Sequence, residues 1–151
     1  MIKPMHAPQH LPPMQALVVD DRDDVAMGLA LMLKHLGLVV QVANQGREAL
    51  EKGASFRPDV IFLDIGLPDL SGYDACMEMR RSDWGADVFI VAVTGLDEPE
   101  DVIRAAHTGF DRHVAKPMGL GTLQEILHTV KARGVFQTPD APPGETPEAS
   151  V

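Results

Sequence analysis

The sequence has few of the features that mark several large classes of proteins. It contains one cysteine, Cys76, which excludes an internal disulfide and any zinc site built from several thiolates. Aromatic residues make up only 5% of the chain, and 13 Lys and Arg stand against 22 Asp and Glu, for a net charge of −9. Because general nucleic-acid binding needs a basic face, we expect no direct binding to DNA or RNA.

Long hydrophobic runs are also missing. The longest uncharged apolar run covers residues 25–33, which is far too short to span a bilayer. The N-terminus has several prolines and no apolar segment of the kind found in signal peptides. We therefore expect no membrane insertion and a location in the cytoplasm, a reducing compartment that suits a chain with a lone cysteine.

Proline marks the limits of the predicted domain. Eight of the 12 prolines lie in residues 1–15 and 139–147. These flanks lack a periodic apolar pattern, and they offer too little apolar surface to offset the entropy lost on ordering. We expect a flexible Pro-rich segment over 1–15, one domain over 16–134, and a disordered, acidic, Pro-rich tail over 135–151.

Within the predicted domain, short apolar runs alternate with amphipathic patterns of helical period. The predicted strands cover 16–20, 38–42, 59–63, 87–93 and 113–115, and a helix follows each of them. Asn44 is the expected N-cap of the second helix, and Ser71 with Asp74 forms a capping box for the third. Asp97 and Pro99 begin the fourth.

Five strand-then-helix units in a row predict an α/β fold, in which a parallel sheet carries helices on both faces. The strands read as unbroken apolar runs, which is typical of strands buried on both sides. Two open doubly wound strand orders are compatible with this pattern, and we expect the order 2-1-3-4-5.

Polar residues follow four of the predicted strands at their carboxyl ends, where ligands bind in folds of this kind. They are Asp20 and Asp21, then Asp64, Thr94 and Lys116. Three carboxylates brought close together repel one another, and Mg²⁺ relieves that repulsion through oxygen ligands. A carboxylate can attack phosphorus to give an aspartyl phosphate. The cation and Lys116 would then neutralise the incoming anion, and Thr94 could donate a hydrogen bond to it.

Four segments carry a resemblance to a known family. They are LVVDD (17–21), IFLDIGLPDLSGYD (61–74), VAVTG (91–95) and HVAKP (113–117). In order and spacing they resemble the receiver domain of the response regulators of two-component signalling, over about residues 16–133. The resemblance implies a flavodoxin-like receiver fold, a doubly wound five-stranded parallel sheet of order 2-1-3-4-5.

The resemblance also implies a ligand set for Mg²⁺. Asp64 would be the phosphoacceptor and would contact the metal. Asp21 would be a direct metal ligand, with help from Asp20, and the backbone carbonyl of Gly66 would complete the protein's contribution.

Further implied roles belong to residues in or directly after the fourth and fifth strands. Lys116 would hold a phosphoryl oxygen, and the Lys116–Pro117 peptide bond would be cis, which is plausible because the second residue is proline. Thr94 would move toward the phosphoryl group and report its arrival. The family usually has Phe or Tyr where His113 stands, a ring that couples to the threonine and remodels the face made by the fourth helix, fifth strand and fifth helix.

The partners follow from the same resemblance. The phosphoryl donor would be a phosphohistidine on a sensor histidine kinase or a histidine phosphotransfer protein. An unknown downstream protein would bind the face just described. Because no periodic pattern follows Gly134, we expect either a stand-alone regulator or the receiver part of a hybrid histidine kinase.

Two other functions stay open at this point. A receiver-shaped binding module that takes no phosphate is kept open by His113, which is polar and titratable where the family has an aromatic ring. A phosphohydrolase with an aspartyl-phosphate intermediate is disfavoured, because such enzymes commonly carry a second acid where this chain has Gly66. We expect a signalling phosphoacceptor that catalyses only its own phosphotransfer and dephosphorylation, not an enzyme.

Overall fold

A computed structural model of the chain describes residues 13–95 and 99–133, with side chains outside the description for 99–102. The strands are β1 (Gln15–Val19), β2 (Val39–Ala43), β3 (Val60–Asp64), β4 (Phe89–Thr94) and β5 (Arg112–Ala115). The helices are α1 (Asp23–His35), α2 (Gly46–Phe56), α3 (Gly72–Arg81), α4 (Pro99–Thr108) and α5 (Leu120–Ala132). Among the helices within these ranges, none is both long and apolar enough to cross a membrane.

The five strands form one sheet in the order β2-β1-β3-β4-β5, and every neighbouring pair is parallel. Phe62 at the middle of β3 lies opposite Val18 of β1 and Val91 of β4. The predicted α/β fold and strand order are therefore confirmed. Because all strands run the same way, their carboxyl ends share one edge of the sheet.

Two apolar cores cover the two faces of the sheet. Successive side chains of a strand point to opposite faces, so Leu17 and Val19 enter one core while Ala16 and Val18 enter the other. Buried residues of α2, α3 and α4 complete the first core, and buried residues of α1 and α5 complete the second. The helices thus flank the sheet on both sides and fix the strand ends that carry the polar residues.

Residues before the expected boundary at residue 16 belong to the sheet and the core. Met14 is buried, and β1 begins at Gln15. The backbone N–H of Gln15 donates to Asp59 Oδ2 at 2.8 Å, and its side-chain Nε2 donates to the Phe56 carbonyl at 2.7 Å. These bonds hold Gln15 in the sheet, so the folded domain includes the last residues of the segment that the sequence assigns to the flexible N-terminus.

The predicted caps have different outcomes. Ser71 caps α3, since its Oγ accepts the N–H of Asp74 at 3.1 Å. Asn44 does not cap α2, because the N-cap residue is Gln45 and it makes no side-chain capping bond. The Asn44 side chain instead reaches another loop, which a local pattern does not show. The expected helix start at Asp97, the segment 1–12 and the tail beyond 133 lie outside the described residues.

Candidate functional site

Three carboxylates meet at the carboxyl edge of the sheet. Asp20 follows β1 directly, Asp21 is next in sequence, and Asp64 is the last residue of β3. One oxygen atom of each lies within 4.8 Å of those of the other two. Asp20 and Asp64 are buried, and Asp21 is exposed. We call these three residues the acidic cluster; it can hold a cation that has an open side toward solvent.

Asp64 has a buried and constrained carboxylate. Burial raises its pKa, the positive charge of Lys116 opposes that effect, and the negative charges of Asp20 and Asp21 add to it. The backbone N–H of Gly66 donates to Asp64 Oδ1 at 3.2 Å. Since proximity of like charges makes the ionised form costly, this carboxylate favours a positive partner.

Lys116 provides a positive partner from the loop after β5. Its Nζ lies 2.9 Å from Asp20 Oδ2 and 3.6 Å from Asp64 Oδ1. Burial alone would lower the pKa of Lys116, but the hydrogen bonds and attraction from the two carboxylates raise it. The peptide bond between Lys116 and Pro117 is cis.

Thr94 ends β4 beside the acidic cluster and is buried. Its carbonyl accepts the backbone N–H of Lys116 at 2.7 Å, which fixes the start of the β5–α5 loop against β4. His113 is the second residue of β5, farther from the carboxyl edge of the sheet, where it lies opposite Ala92 and is half-buried. The fold therefore brings Thr94 and Lys116 to the acidic cluster, while His113 belongs to the neighbouring part of the β4–β5 pair.

The donor set fits a hard divalent cation. It consists of carboxylate oxygens held by two adjacent strands, which is the chemistry Mg²⁺ prefers. Gly66, whose carbonyl is a further candidate ligand, is exposed, and a Cβ added there would meet nothing within 4 Å. The backbone at this position is thus accessible to a bound group.

Two residues make contacts at this edge that the sequence patterns did not predict. Both carboxylate oxygens of Asp69, in the β3–α3 loop, accept backbone N–H groups at the start of α2. Asn44 donates through its side chain to the Asp20 carbonyl in the β1–α1 loop and to the carboxylate of Asp23 at the start of α1. No local signal identifies these bonds, because they depend on loops that meet only in the folded chain.

Comparison of the sequence with known proteins identifies relatives among the response regulators. The response regulator receiver domain family matches residues 16–128. The response regulator MprA of Mycolicibacterium vanbaalenii is 35% identical over 134 residues, covering 89% of this chain and 56% of MprA. The probable transcriptional regulator ycf27 of Guillardia theta is 34% identical over 119 residues, covering 79% of this chain and 46% of that protein. The chain spans about half the length of these relatives.

Solved structures agree with the sequence comparison. The chemotaxis protein CheY4 of Vibrio cholerae superposes with a TM-score of 0.75 and 28% identity, covering 79% of this chain and 99% of CheY4. The receiver domain of the sensor histidine kinase PA1611 of Pseudomonas aeruginosa has a TM-score of 0.74 and 30% identity, covering 80% of this chain and 99% of that domain. That structure has a magnesium ion coordinated in its active site cleft. Together with the fold, these matches show that the chain belongs to the response regulator receiver domain family of two-component signalling proteins.

Proposed function

We propose that this receiver accepts a phosphoryl group on the Asp64 carboxylate. The observation that carries the proposal is the acidic cluster with the Lys116 ammonium 2.9 Å from Asp20 and 3.6 Å from Asp64. The carboxylate nucleophile and the phosphoryl group both carry negative charge. Positive groups must therefore lie beside both of them for the carboxylate to approach phosphorus. At this edge of the sheet Lys116 provides one positive charge, and the acidic cluster provides oxygen ligands for a metal cation that would provide more.

The transfer forms a bond between an Asp64 oxygen and phosphorus. The bond between phosphorus and the imidazole nitrogen of a phosphohistidine breaks, and its electron pair stays with that nitrogen. The donor would be a sensor histidine kinase or a histidine phosphotransfer protein. In such reactions the protein acts mainly by positioning and by charge stabilisation.

The proposed cofactor is Mg²⁺. Asp20, Asp21, Asp64 and the backbone carbonyl of Gly66 would hold it, and when bound it would neutralise charge on the phosphoryl oxygens. The magnesium ion in the cleft of the PA1611 receiver domain supports this choice. The residues of this chain orient the acceptor, with the Gly66 N–H restraining the Asp64 carboxylate.

Lys116 and Thr94 would bind the phosphoryl oxygens and start the response. Lys116 supplies charge, and the Thr94 hydroxyl supplies a hydrogen bond. We place the switch on the face of α4, β5 and α5, with His113 as the ring that responds to Thr94. Ile103 of α4 and Leu120 of α5 are 58% and 49% exposed, so this face offers apolar contacts to a downstream protein.

Several coarser inferences accompany this proposal. We infer a signalling role and not turnover of a substrate, and the net charge of −9 argues against direct nucleic-acid binding. Cys76 is a buried free thiol, which suits a cytoplasmic location. The chain would act either as a stand-alone regulator or as the receiver part of a hybrid histidine kinase.

Acetyl phosphate with Mg²⁺ tests the proposal directly. Intact-protein mass spectrometry should show the addition of one phosphoryl group, and removal of Mg²⁺ with a chelator should abolish it. Asp64→Asn should take up none. Asp87→Asn is the matched control, because Asp87 is an exposed acid at the other end of the sheet, and this variant should be phosphorylated normally.

The same experiment separates the alternatives. An absence of uptake by the wild-type chain would favour an inert binding module. Continuous release of inorganic phosphate from a small phosphomonoester, dependent on Asp64, would favour a phosphohydrolase. Uptake that survives in Asp64→Asn would place the acceptor elsewhere and contradict the proposal.

A further inference from the structure

Residues 44–47, which join β2 to α2 and include the first two residues of that helix, contact the first of the two loops that carry the acidic cluster; we call them the β2–α2 turn. The Asn44 side-chain Nδ2 donates to the backbone carbonyl of Asp20 at 2.9 Å and to Asp23 Oδ1 at 3.0 Å. The backbone N–H of Asp20 in turn donates to the carbonyl of Ala43 at 3.0 Å. The two bonds of Asn44 fix the β1–α1 loop, which carries Asp20 and Asp21, and the first residue of α1 to the β2–α2 turn, and the bond to Ala43 fixes the same loop to the end of β2.

The same turn also binds the second loop. The backbone N–H groups of Gly46 and Arg47 donate to the two carboxylate oxygens of Asp69 at 2.8 and 3.0 Å. Asp69 belongs to the β3–α3 loop, which follows Asp64 and includes Gly66. The turn thus lies between the two loops and is bonded to both.

The hydrogen bonds to Asp69 are of a strong type. A carboxylate that accepts backbone N–H groups makes stronger bonds than a neutral acceptor, and a helix N-terminus favours negative charge. In agreement, the N–H groups of Arg47 and Gly46 lower the pKa of Asp69. Gly46 also packs closely on the loop, since an added Cβ would lie 2.8 Å from Leu70 Cβ.

We propose that the β2–α2 turn is a brace that sets the separation of the two halves of the cation site, with Asn44 and Asp69 as its positioning residues. The inference rests on the proposed function, because it assumes that Mg²⁺ binds the acidic cluster. Mg²⁺ demands near-ideal octahedral geometry, so the spacing of its ligands matters for affinity. Groups that orient metal ligands affect metal affinity by about 10- to 100-fold in known sites.

Calorimetric titration of the folded chain with MgCl₂ tests the brace through a double-mutant cycle. Asn44→Ala and Asp69→Ala should each raise the Kd for Mg²⁺ by about tenfold, the low end of the range for such groups. The two contacts act in series, so the double variant should lose little more than either single variant. An unchanged Kd in either single variant, or fully additive losses in the double variant, would overturn the brace.

Two further variants distinguish an effect on the position of the cation ligands from a general loss of stability. Asp59→Ala removes another bond between a carboxylate and a backbone N–H, the one to Gln15 at the far end of the sheet, and should lower stability without changing the Kd for Mg²⁺. Asp69→Asn keeps one acceptor oxygen and should restore part of the affinity lost in Asp69→Ala. An equal loss of affinity in Asp59→Ala, or no rescue by Asp69→Asn, would overturn the inference.

The outcomes also distinguish this inference from the proposed function. If the wild-type chain binds no Mg²⁺, the proposed function fails and the brace fails with it. If the wild-type chain binds Mg²⁺ and takes up a phosphoryl group while the Asn44 and Asp69 variants bind Mg²⁺ equally well, only the brace fails.

Discussion

The ammonium group of Lys116 lies closer to Asp20 than to the proposed phosphoacceptor. The distance from Nζ is 2.9 Å to Asp20 Oδ2 and 3.6 Å to Asp64 Oδ1. The lysine therefore shares carboxylate ligands with any divalent cation bound at the same edge. Two positive groups that approach the same carboxylates repel each other, and each weakens the binding of the other.

This relationship predicts the effect of Lys116→Met. Removing the ammonium should tighten Mg²⁺ binding by about tenfold, since unit charges 4 Å apart interact by ~1 kcal/mol in water and ~4 kcal/mol near a protein surface. Phosphoryl uptake should nevertheless fall, because the phosphoryl oxygens lose their fixed cation. Calorimetry and mass spectrometry measure the two effects. Lys52→Met is the control, since Lys52 pairs with Glu48 at 3.1 Å on α2, and weaker Mg²⁺ binding by Lys116→Met would contradict the argument.

A second prediction concerns Gly72 at the start of α3. A Cβ added there would lie 2.6 Å from the carbonyl oxygen of Asp64 and 2.6 Å from the Cα of Ile65. Backbone atoms cannot give way as a flexible side chain can, so Gly72→Ala should displace the loop after β3. We expect a loss of about 1–3 kcal/mol in the free energy of unfolding, together with slower phosphoryl uptake.

The control for Gly72→Ala is Gly28→Ala in α1. A Cβ at Gly28 would meet nothing within 4 Å, and alanine is the better helix former by up to about 1 kcal/mol. Urea denaturation should show stabilisation of Gly28→Ala with unchanged phosphoryl uptake. Equal stability of wild type and Gly72→Ala would show that the loop can move at little cost.

The polar residues at the carboxyl edge of the sheet could be predicted from the sequence because they lie at the ends of apolar runs. Asp64 and Thr94 close β3 and β4, and Lys116 follows β5 directly, so local patterns and the rule for parallel sheets suffice to bring them together. The same reasoning fails for Asn44, which resembles a local helix cap. Its actual partners, Asp20 and Asp23, lie more than twenty residues earlier in the chain, and no periodic pattern encodes that contact.

Arg80 is another residue whose role depends on the complete fold. From the end of α3 its guanidinium donates to the carbonyls of Gly109, Gly85 and Val88, the shortest of these bonds being 2.6 Å. It also pairs with Asp111 Oδ2 at 2.8 Å. One side chain thus joins α3, the loop before β4 and the loop before β5, at the end of the sheet opposite the acidic cluster.

Replacing Arg80 by Met should therefore be costly. The variant leaves several carbonyls without their guanidinium donor and removes the shortest ion pair of Asp111, whose carboxylate keeps the N–H of Ile90 and the guanidinium of Arg133. We expect a loss of about 3 kcal/mol in the free energy of unfolding. Arg112→Met is the control, because its partner Glu125 is exposed and such pairs contribute about 0–1 kcal/mol. Urea denaturation measures both, and equal losses would argue against the special role of Arg80.

The thiol of Cys76 should resist chemical modification in the folded chain. Burial raises the pKa of Cys76 to about 11, so the reactive thiolate is rare at pH 8. Iodoacetamide should label it slowly at pH 8 and rapidly in urea. Because the folded pKa exceeds the ordinary value of 9.0, the thiol's contribution to stability is complete below pH 9 and is lost as the pH rises toward 11.

A serine variant checks the pH dependence. Serine has no ionisation in this range, so Cys76→Ser should lack the part of the stability loss that Cys76 contributes between pH 9 and 11. Rapid labelling of the native protein at pH 8 would contradict the burial of the thiol.

The position of Trp84, the only tryptophan of the chain, bears on how this protein can be observed. It is partly buried against the core in the loop between α3 and β4, and its ring lies so close to Gly53 that an added Cβ would be 2.2 Å from it. This loop leads into the amino end of β4, whereas the acidic cluster lies beyond the carboxyl ends of the strands. Intrinsic fluorescence therefore reports on the packing of α2 against the α3–β4 loop. If binding of Mg²⁺ or a phosphoryl group at the carboxyl edge changes the emission of Trp84, the structural change extends from one end of the sheet to the other.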